Sequence, residues 1–292
     1  MLAIIGGTGL YDLAGMETLE RLEDDTPFGT PSGPVLRGRV GASPVLVLAR
    51  HGAGHRLLPH EVNYRANIFA LKRAGATCVL GVSAVGSLAE RVAPGDLAVP
   101  EQYVDWTRGG RAGTFFGGGV AAHVSTANPV SAALVDAASA SAQALGITLH
   151  RGLTYACIEG PRLGTRAESQ VLRQAACHLV GMTNGPEVFL AREAQMAYAT
   201  VGIVTDYDCW MEDPSRHVSV AGIFELLWQE SRQGTRAARP LAGAAAGHAR
   251  AADPDGAVDG RPDPARGGHA VPARMARRSA ALKPVGSAAL TF

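Results

Sequence analysis

Cysteine is scarce in this chain. The four, Cys78, Cys157, Cys177 and Cys209, are scattered without the close pairs that a zinc site or a disulfide framework needs. They read as small core residues of a reducing compartment, and the cytoplasm follows as the default location. An excess of charge of one sign is also missing: the formal net charge is +1. Nothing therefore argues for nucleic acid or a membrane surface as a partner across the whole chain. No apolar run reaches the length of a membrane span. The first residues, Met1-Leu-Ala-Ile-Ile-Gly-Gly, have no basic region and no cleavage-like segment after them, so they read as a strand rather than a signal peptide.

What is present is apolar sequence in short blocks. With 292 residues, 47% of them hydrophobic, the chain can form one large α/β domain or two small ones. Leu2–Ile5, Val45–Ala49, Cys78–Val82 and Ala199–Val204 read as buried strands, and 62–74, 129–145, 167–176 and 186–196 as helices. Apolar strands separated by helices predict an α/β sheet covered on both faces. Each strand ends in small or polar residues, and open α/β sheets bind ligands at those ends. Residues 1–232 form the expected domain. Beyond about Gln233, Ala, Arg, Gly, Pro, Asp and His dominate without apolar periodicity. Segment 233–292 is expected to be a low-complexity, disordered tail, because it cannot bury enough surface to offset its ordering entropy. The same composition arises from a shifted reading frame of a GC-rich gene.

The stretch Thr205-Asp206-Tyr207-Asp208-Cys209-Trp210 carries the most chemistry. On an extended segment Asp206 and Asp208 would point to the same side. Past a buried strand they could face one ligand, and an aminopurine suits them: one carboxyl accepts from the exocyclic NH₂ and a protonated one donates to N7. The plain alternative is a solvated turn. Gly6-Gly7-Thr8-Gly9 falls short of a dinucleotide fingerprint, since Asp12 stands where a third glycine is needed. It fits a phosphate loop, or simply a tight turn. Arg50-His51-Gly52 pairs a cation and a ring donor suited to an oxyanion, with a bidentate guanidinium grip. Ser83-Ala84 and Thr183 add donors at further strand ends.

In this order the elements resemble the trimeric purine nucleoside phosphorylase family, from Ile4 to about Leu227. The resemblance is carried by Gly6-Gly-Thr-Gly9, Arg50-His-Gly52, Pro59-His-Glu-Val-Asn-Tyr-Arg-Ala-Asn67, Gly86-Ser-Leu88 and Pro94-Gly-Asp96. It continues through Glu159-Gly-Pro-Arg162, Arg166-Ala-Glu-Ser169, Met182-Thr183, Pro186-Glu-Val188 and Thr205 to Trp210. It implies a single-domain α/β fold with a central mixed sheet and distorted barrel, assembled as a homotrimer. It places Thr8, Arg50, His51, Ser83, Ala84 and Thr183 around phosphate, Met182 against the ribose, and Asp206 and Asp208 at the base. His123 is similar to a position that reaches into the neighbouring subunit's site. Inorganic phosphate is then a co-substrate, and no metal or organic cofactor is implied.

The resemblance also bears on the nucleoside. Relatives acting on 6-oxopurines use Asn where Asp206 stands and Glu where Gly164 stands; an amide donates to a carbonyl oxygen and a carboxylate repels it. Val220 takes the place of a His for the 5′-hydroxyl, and with Val218 and Ile223 makes an apolar wall suited to a methylthio group. The implied reaction is phosphate-dependent cleavage of 5′-methylthioadenosine to adenine and 5-methylthioribose 1-phosphate, with Asp206 as a protonated acid of raised pKa. Leu163 replaces the usual aromatic against the base and keeps 5′-methylthioinosine, or purine nucleosides in general, as alternatives. The family's C-terminal helix is not legible after Gln233. An NAD-binding oxidoreductase and a non-catalytic nucleoside-binding homologue are the rival classes.

Overall fold

The computed structural model describes residues 1–7, 16–211 and 213. The expectations for Thr8, Val218, Val220, Ile223 and the 233–292 segment lie outside them. In chain order the strands are β1 (Leu2–Gly6), β2 (Met16–Leu22), β3 (Val35–Val40), β4 (Ser43–Ala49), β5 (Cys78–Ser87), β6 (Leu97–Trp106), β7 (Leu149–Ile158), β8 (Leu179–Gly181) and β9 (Ala197–Asp206). The helices are α1 (Tyr64–Arg73), α2 (Ala132–Ala144), α3 (Arg166–Gln174) and α4 (Asn184–Glu193).

The sheet order is β2-β3-β4-β1-β5-β8-β7-β6-β9, and β9 pairs back onto β5. Five strands thus close into a barrel, while β1 to β4 extend from it as an open arm. Pairing is mixed. β1 is parallel to β4 and β5, and β5 to β9, whereas β8 meets β5 antiparallel and β7 parallel. The expected mixed sheet with a distorted barrel is what the chain forms.

The buried strands run apolar without a break because both faces are covered. Alternate residues go opposite ways. Leu2, Ile4, Val45, Val47 and Leu80 pack with Leu134, Val135 and Ala138 of α2. Ala3, Ile5, Leu46, Leu48 and Val79 pack on the other side with Ile68 and Leu71 of α1 and Val188, Leu190 and Ala191 of α4. Helix starts are set by capping side chains: Asn63 accepts from the Ala66 N–H of α1 at 3.1 Å. Thr165 and Glu168 form a reciprocal capping box on α3.

Two local expectations need correction. Ser83 and Ala84 do not follow a strand end, because β5 continues to Ser87. Its pairing with β9 holds the backbone extended there, with Ser83 opposite Gly202 and Ala84 opposite Ile203. Asp206 and Asp208 do not share an extended segment either. Asp206 ends β9, and Asp208 opens a short 3₁₀ turn, Asp208–Trp210, with φ of 52°.

Candidate active site

At the end of β9 the Asp206 carboxyl is held from both sides. Its Oδ2 accepts from Thr205 Oγ1 at 2.6 Å and its Oδ1 from the Asp208 backbone N–H at 2.7 Å. Burial pushes its pKa up to about 6. The two hydrogen bonds oppose that rise, and the neighbouring Asp208 charge adds to it. The strand-end turn is anchored by Trp210, whose Nε1 donates to the Ser87 carbonyl at 2.8 Å and whose ring lies 3.6 Å beneath the Arg173 guanidinium. Gly86 makes room: a Cβ there would come within 3.1 Å of both Asp206 Oδ1 and Val180 Cγ1.

The second group surrounds the ends of β4 and β8. The guanidinium of Arg50 is fully buried, and Glu187 of α4 occupies its forked face through Nε and Nη2 at 2.8 and 2.9 Å. Nη1 donates to the Val82 carbonyl and Nη2 also to the Ile5 carbonyl. The bidentate grip on an oxyanion expected for Arg50 is therefore not available in this arrangement, because a buried guanidinium needs an ionised partner and Glu187 supplies it. His51 is likewise not the ring donor expected at neutral pH. Its Nδ1 lies 2.8 Å from the Leu57 carbonyl, which can only accept, so Nδ1 carries the hydrogen and Nε2 is an acceptor in the neutral ring. Burial, then the Arg50 charge, lowers its pKa to about 4.

Ser83 and Thr183, 100 residues apart in number, come together at the N-terminus of α4. Both hydroxyls donate to Asn184 Oδ1, at 3.2 and 3.4 Å, and both residues are buried. Ala84 is half-buried beside them in β5. Met182 lies against the loop after β7: a Cβ on Gly160 would meet its Sδ at 2.5 Å.

A pocket of about 150 Å³ opens at the barrel end, lined by Asp208, Gly164, Ile158, Leu172, Val180 and Trp106 among others. Leu163, next to it in sequence, is 43% exposed, and Trp106 brings to the pocket the aromatic side chain that position 163 lacks. His123 is exposed in the long segment between β6 and α2.

Sequence reasoning missed Glu187, although it lies in the quoted Pro186-Glu-Val188, and missed Asn184 and Trp106. It also missed Arg111. The Nη1 of Arg111 donates to the carbonyls of Met182 and Gly185, both at 2.7 Å, and its Nε to Glu159 at 3.0 Å. Arg111 thereby pins the β8–α4 junction to the end of β7. A Gly-Gly-Arg in a loop was its only trace in the sequence.

A mixed sheet that closes into a five-stranded barrel, with a half-buried carboxyl at one strand end and hydroxyls at the β8–α4 junction, defines the nucleoside phosphorylase fold class. The chain belongs to the Phosphorylase superfamily, whose profile matches residues 1–243. It is 50% identical over 231 residues to the S-methyl-5′-thioadenosine phosphorylase of Rhodospirillum rubrum, covering 79% of this chain and 78% of that one. Among solved structures, a methylthioadenosine phosphorylase sourced from an antarctic soil metagenomic library superposes with a TM-score of 0.79 at 42% identity, covering 85% of this chain and 86% of the other. A variant of the adenosine/methylthioadenosine phosphorylase of Schistosoma mansoni, in complex with methylthioadenosine, gives 0.79 at 35% identity, with 88% and 94% covered.

Proposed function

We propose that this protein is a pentosyltransferase that uses inorganic phosphate to cleave 5′-methylthioadenosine into adenine and 5-methylthioribose 1-phosphate. The observation that carries the reading is the Asp206 carboxyl, half-buried at the end of a barrel strand, held by Thr205 and the Asp208 N–H, with its pKa pushed up to about 6. Relatives of nearly half identical sequence that bear this activity in their names support it.

In the reaction a phosphate oxygen forms a bond to C1′ as the bond from C1′ to N9 breaks, and the bonding electrons leave with the purine. Asp206, when protonated, gives its hydrogen to N7, so adenine departs neutral and the carboxylate remains. With its proton gone the same carboxylate accepts from the exocyclic amino group. The neighbouring Asp208 carboxylate disfavours ionisation of Asp206 and so helps it hold its proton, and the Asp208 backbone N–H orients the Asp206 carboxyl. Ser83, Ala84, Thr183 and His51, with Thr8, serve the phosphate, and Arg50 acts through the fixed ion pair that frames them. Met182 lies against the ribose, and Leu163, Val220 and Ile223 bound the substrate. The phosphate needs positioning rather than activation.

The assembly that suits this chemistry is a homotrimer in which His123, exposed on each chain, completes the neighbour's site. Among the described residues no helix is long and apolar enough to cross a membrane. One assay tests the reading: release of adenine from methylthioadenosine, and of hypoxanthine from methylthioinosine, each with and without phosphate. Phosphate-dependent adenine release is expected. Hypoxanthine release as the faster reaction would replace the substrate, and no turnover at all would leave a binding protein.

A further inference from the structure

Behind Ser83 and Thr183 runs an unbroken line of buried side chains. Asn184 Nδ2 donates to Thr200 Oγ1 at 2.8 Å, Thr200 Oγ1 to the Tyr198 hydroxyl at 2.8 Å, and Tyr198 to Glu187 Oε1 at 2.8 Å. Glu187 closes on Arg50, which donates to both of its oxygens. Arg50, Asn184, Tyr198 and Thr200 are 0% exposed and Glu187 is 1% exposed, so no bulk water interrupts the line. The fold leaves space for it at Gly81 in β5, where a Cβ would lie 2.7 Å from the Tyr198 hydroxyl and 2.8 Å from Thr200 Oγ1.

The direction of every bond in this line is forced from one end. A guanidinium has donors only, so the Glu187 carboxylate accepts. Tyr198 has one hydrogen and spends it on Glu187, so its oxygen accepts from Thr200. Thr200 spends its one hydrogen there, so its oxygen accepts from an N–H of Asn184. The amide of Asn184 is therefore turned in one way, with Oδ1 toward the hydroxyls of Ser83 and Thr183. The opposite orientation would set its carbonyl against a Thr200 oxygen with no hydrogen to offer, leaving two acceptors face to face in a buried site.

We propose that Asn184, held in this orientation, makes the phosphate end of the site select an oxyanion that carries a hydrogen. The inference rests on the reading of Ser83 and Thr183 as phosphate contacts. A buried Oδ1 must keep at least one partner, so one of the two hydroxyls goes on donating to Asn184. The other is released to donate to an anionic oxygen, the stronger acceptor. The hydroxyl that stays with Asn184 presents only lone pairs to the ligand. The neutral His51 ring, with Nδ1 committed to Leu57, likewise offers its second nitrogen as an acceptor. Monohydrogen phosphate supplies both an O⁻ and an O–H and satisfies this set. Sulfate has the same shape and charge but no hydrogen, and sets an anionic oxygen against a lone pair.

The test is the ratio of the inhibition constant of sulfate, competing with phosphate, to the KM for phosphate. It is measured at mildly alkaline pH in the full chain and in Thr200→Val, Thr200→Ser and Ser83→Ala variants, each checked for native circular dichroism. In the unaltered protein the ratio should be at least about 10, the scale of one mismatched buried hydrogen bond. Thr200→Val removes the acceptor that orients Asn184 and frees the amide to turn its N–H₂ toward both hydroxyls, so the ratio should fall several-fold. Thr200→Ser keeps the hydroxyl and should keep the ratio. General damage to the site would weaken both anions together and leave the ratio unchanged. Sulfate competing as well as phosphate in the unaltered protein overturns the proposal, and so does an equal ratio in the Val and Ser variants. Ser83→Ala separates the two levels. If it leaves the KM for phosphate unchanged, the placement of phosphate falls, and the proposal with it. If it raises that KM while Thr200→Val leaves the ratio unchanged, the proposal falls and the reading of Ser83 as a phosphate contact stands.

Discussion

Arg50 and Glu187, 137 residues apart in the chain, meet through two parallel hydrogen bonds of 2.8 and 2.9 Å with both side chains out of contact with water. The pair ties β4 to α4 and so fixes the barrel end on which the hydroxyls of Ser83 and Thr183 stand. It also holds the Arg50 charge: the carboxylate offsets a desolvation that on its own would lower the guanidinium pKa.

Removing one member of the pair leaves the other charged, buried and alone. Arg50→Ala and Glu187→Ala should each cost about 3–5 kcal/mol of stability, whatever their effect on phosphate. Denaturant unfolding of each variant measures this. An Arg50→Ala protein as stable as the parent but starved for phosphate would restore Arg50 as a direct phosphate clamp.

Asp206→Asn should abolish most adenine release, by roughly 2–4 kcal/mol in transition-state terms, because an amide can hydrogen-bond to N7 but cannot transfer a proton to it. The same change should stabilise the fold at high pH. The carboxyl is raised to about 6 in the folded protein against an ordinary value of 3.8, so the folded state binds the extra proton between those values. Stability gained from Asp206 thus grows as pH falls through 6, and above 6 the half-buried carboxylate costs up to about 3 kcal/mol. The variant should be the more stable protein at pH 8, with the advantage gone near pH 4. Paired unfolding curves at the two pH values test the sign.

His51 acts in the opposite sense. Its folded pKa, about 4, lies below the ordinary 6.5, so the unfolded chain takes up the proton first. Its contribution is complete above pH 6.5 and is lost as pH falls toward 4, by about 3 kcal/mol in all. In an Asp206→Asn background, which removes the opposing carboxyl, adding His51→Gln should flatten the loss of stability between pH 6.5 and 4. An unchanged slope would mean that another group sets it.

Gly86→Ala should leave the protein folded and impair the base end of the site. The added carbon falls 3.1 Å from Asp206 Oδ1, so the carboxyl must give way. A displacement of that kind lowers kcat/KM for the nucleoside by about tenfold or more while the KM for phosphate holds. Equal loss for both substrates would point to a shift of the whole strand.

What could be read in the sequence followed burial. β1, β4, β5 and β9 are covered on both faces, and their apolar runs announce them. β2 could not be read: it is the edge strand, exposed from Glu17 to Arg21, and its apolar residues Met16, Leu19 and Leu22 recur every third position, a helix-like spacing that hides the strand. β6 is masked by Pro100, Glu101 and Gln102 in mid-strand. The D-x-D carboxyls could be picked out in the sequence, but their geometry could not, because the chain leaves the strand at Tyr207 to seat Trp210 under Arg173. Arg50 showed its charge but not its partner. A contact across 137 residues leaves no local trace, and without Glu187 an oxyanion was the natural counter-charge.

The barrel owes its closure to a strand of three residues. Leu179 and Val180 bond to Ser87 and Gly86 on one side and to Tyr155 and Ala156 on the other, and Met182 and Thr183 emerge directly from that rung. So short a strand has no stability of its own and exists only between two walls already standing. One of those walls, β5, is itself buttressed by β9, which ends at Asp206. During synthesis, then, a nascent chain that has not yet released its ninth strand has no closed ring. Ring closure therefore waits on β9 and does not build up strand by strand from β5. Amide hydrogen exchange at Leu179, Val180 and Gly181 would report on that step more directly than any residue that touches substrate.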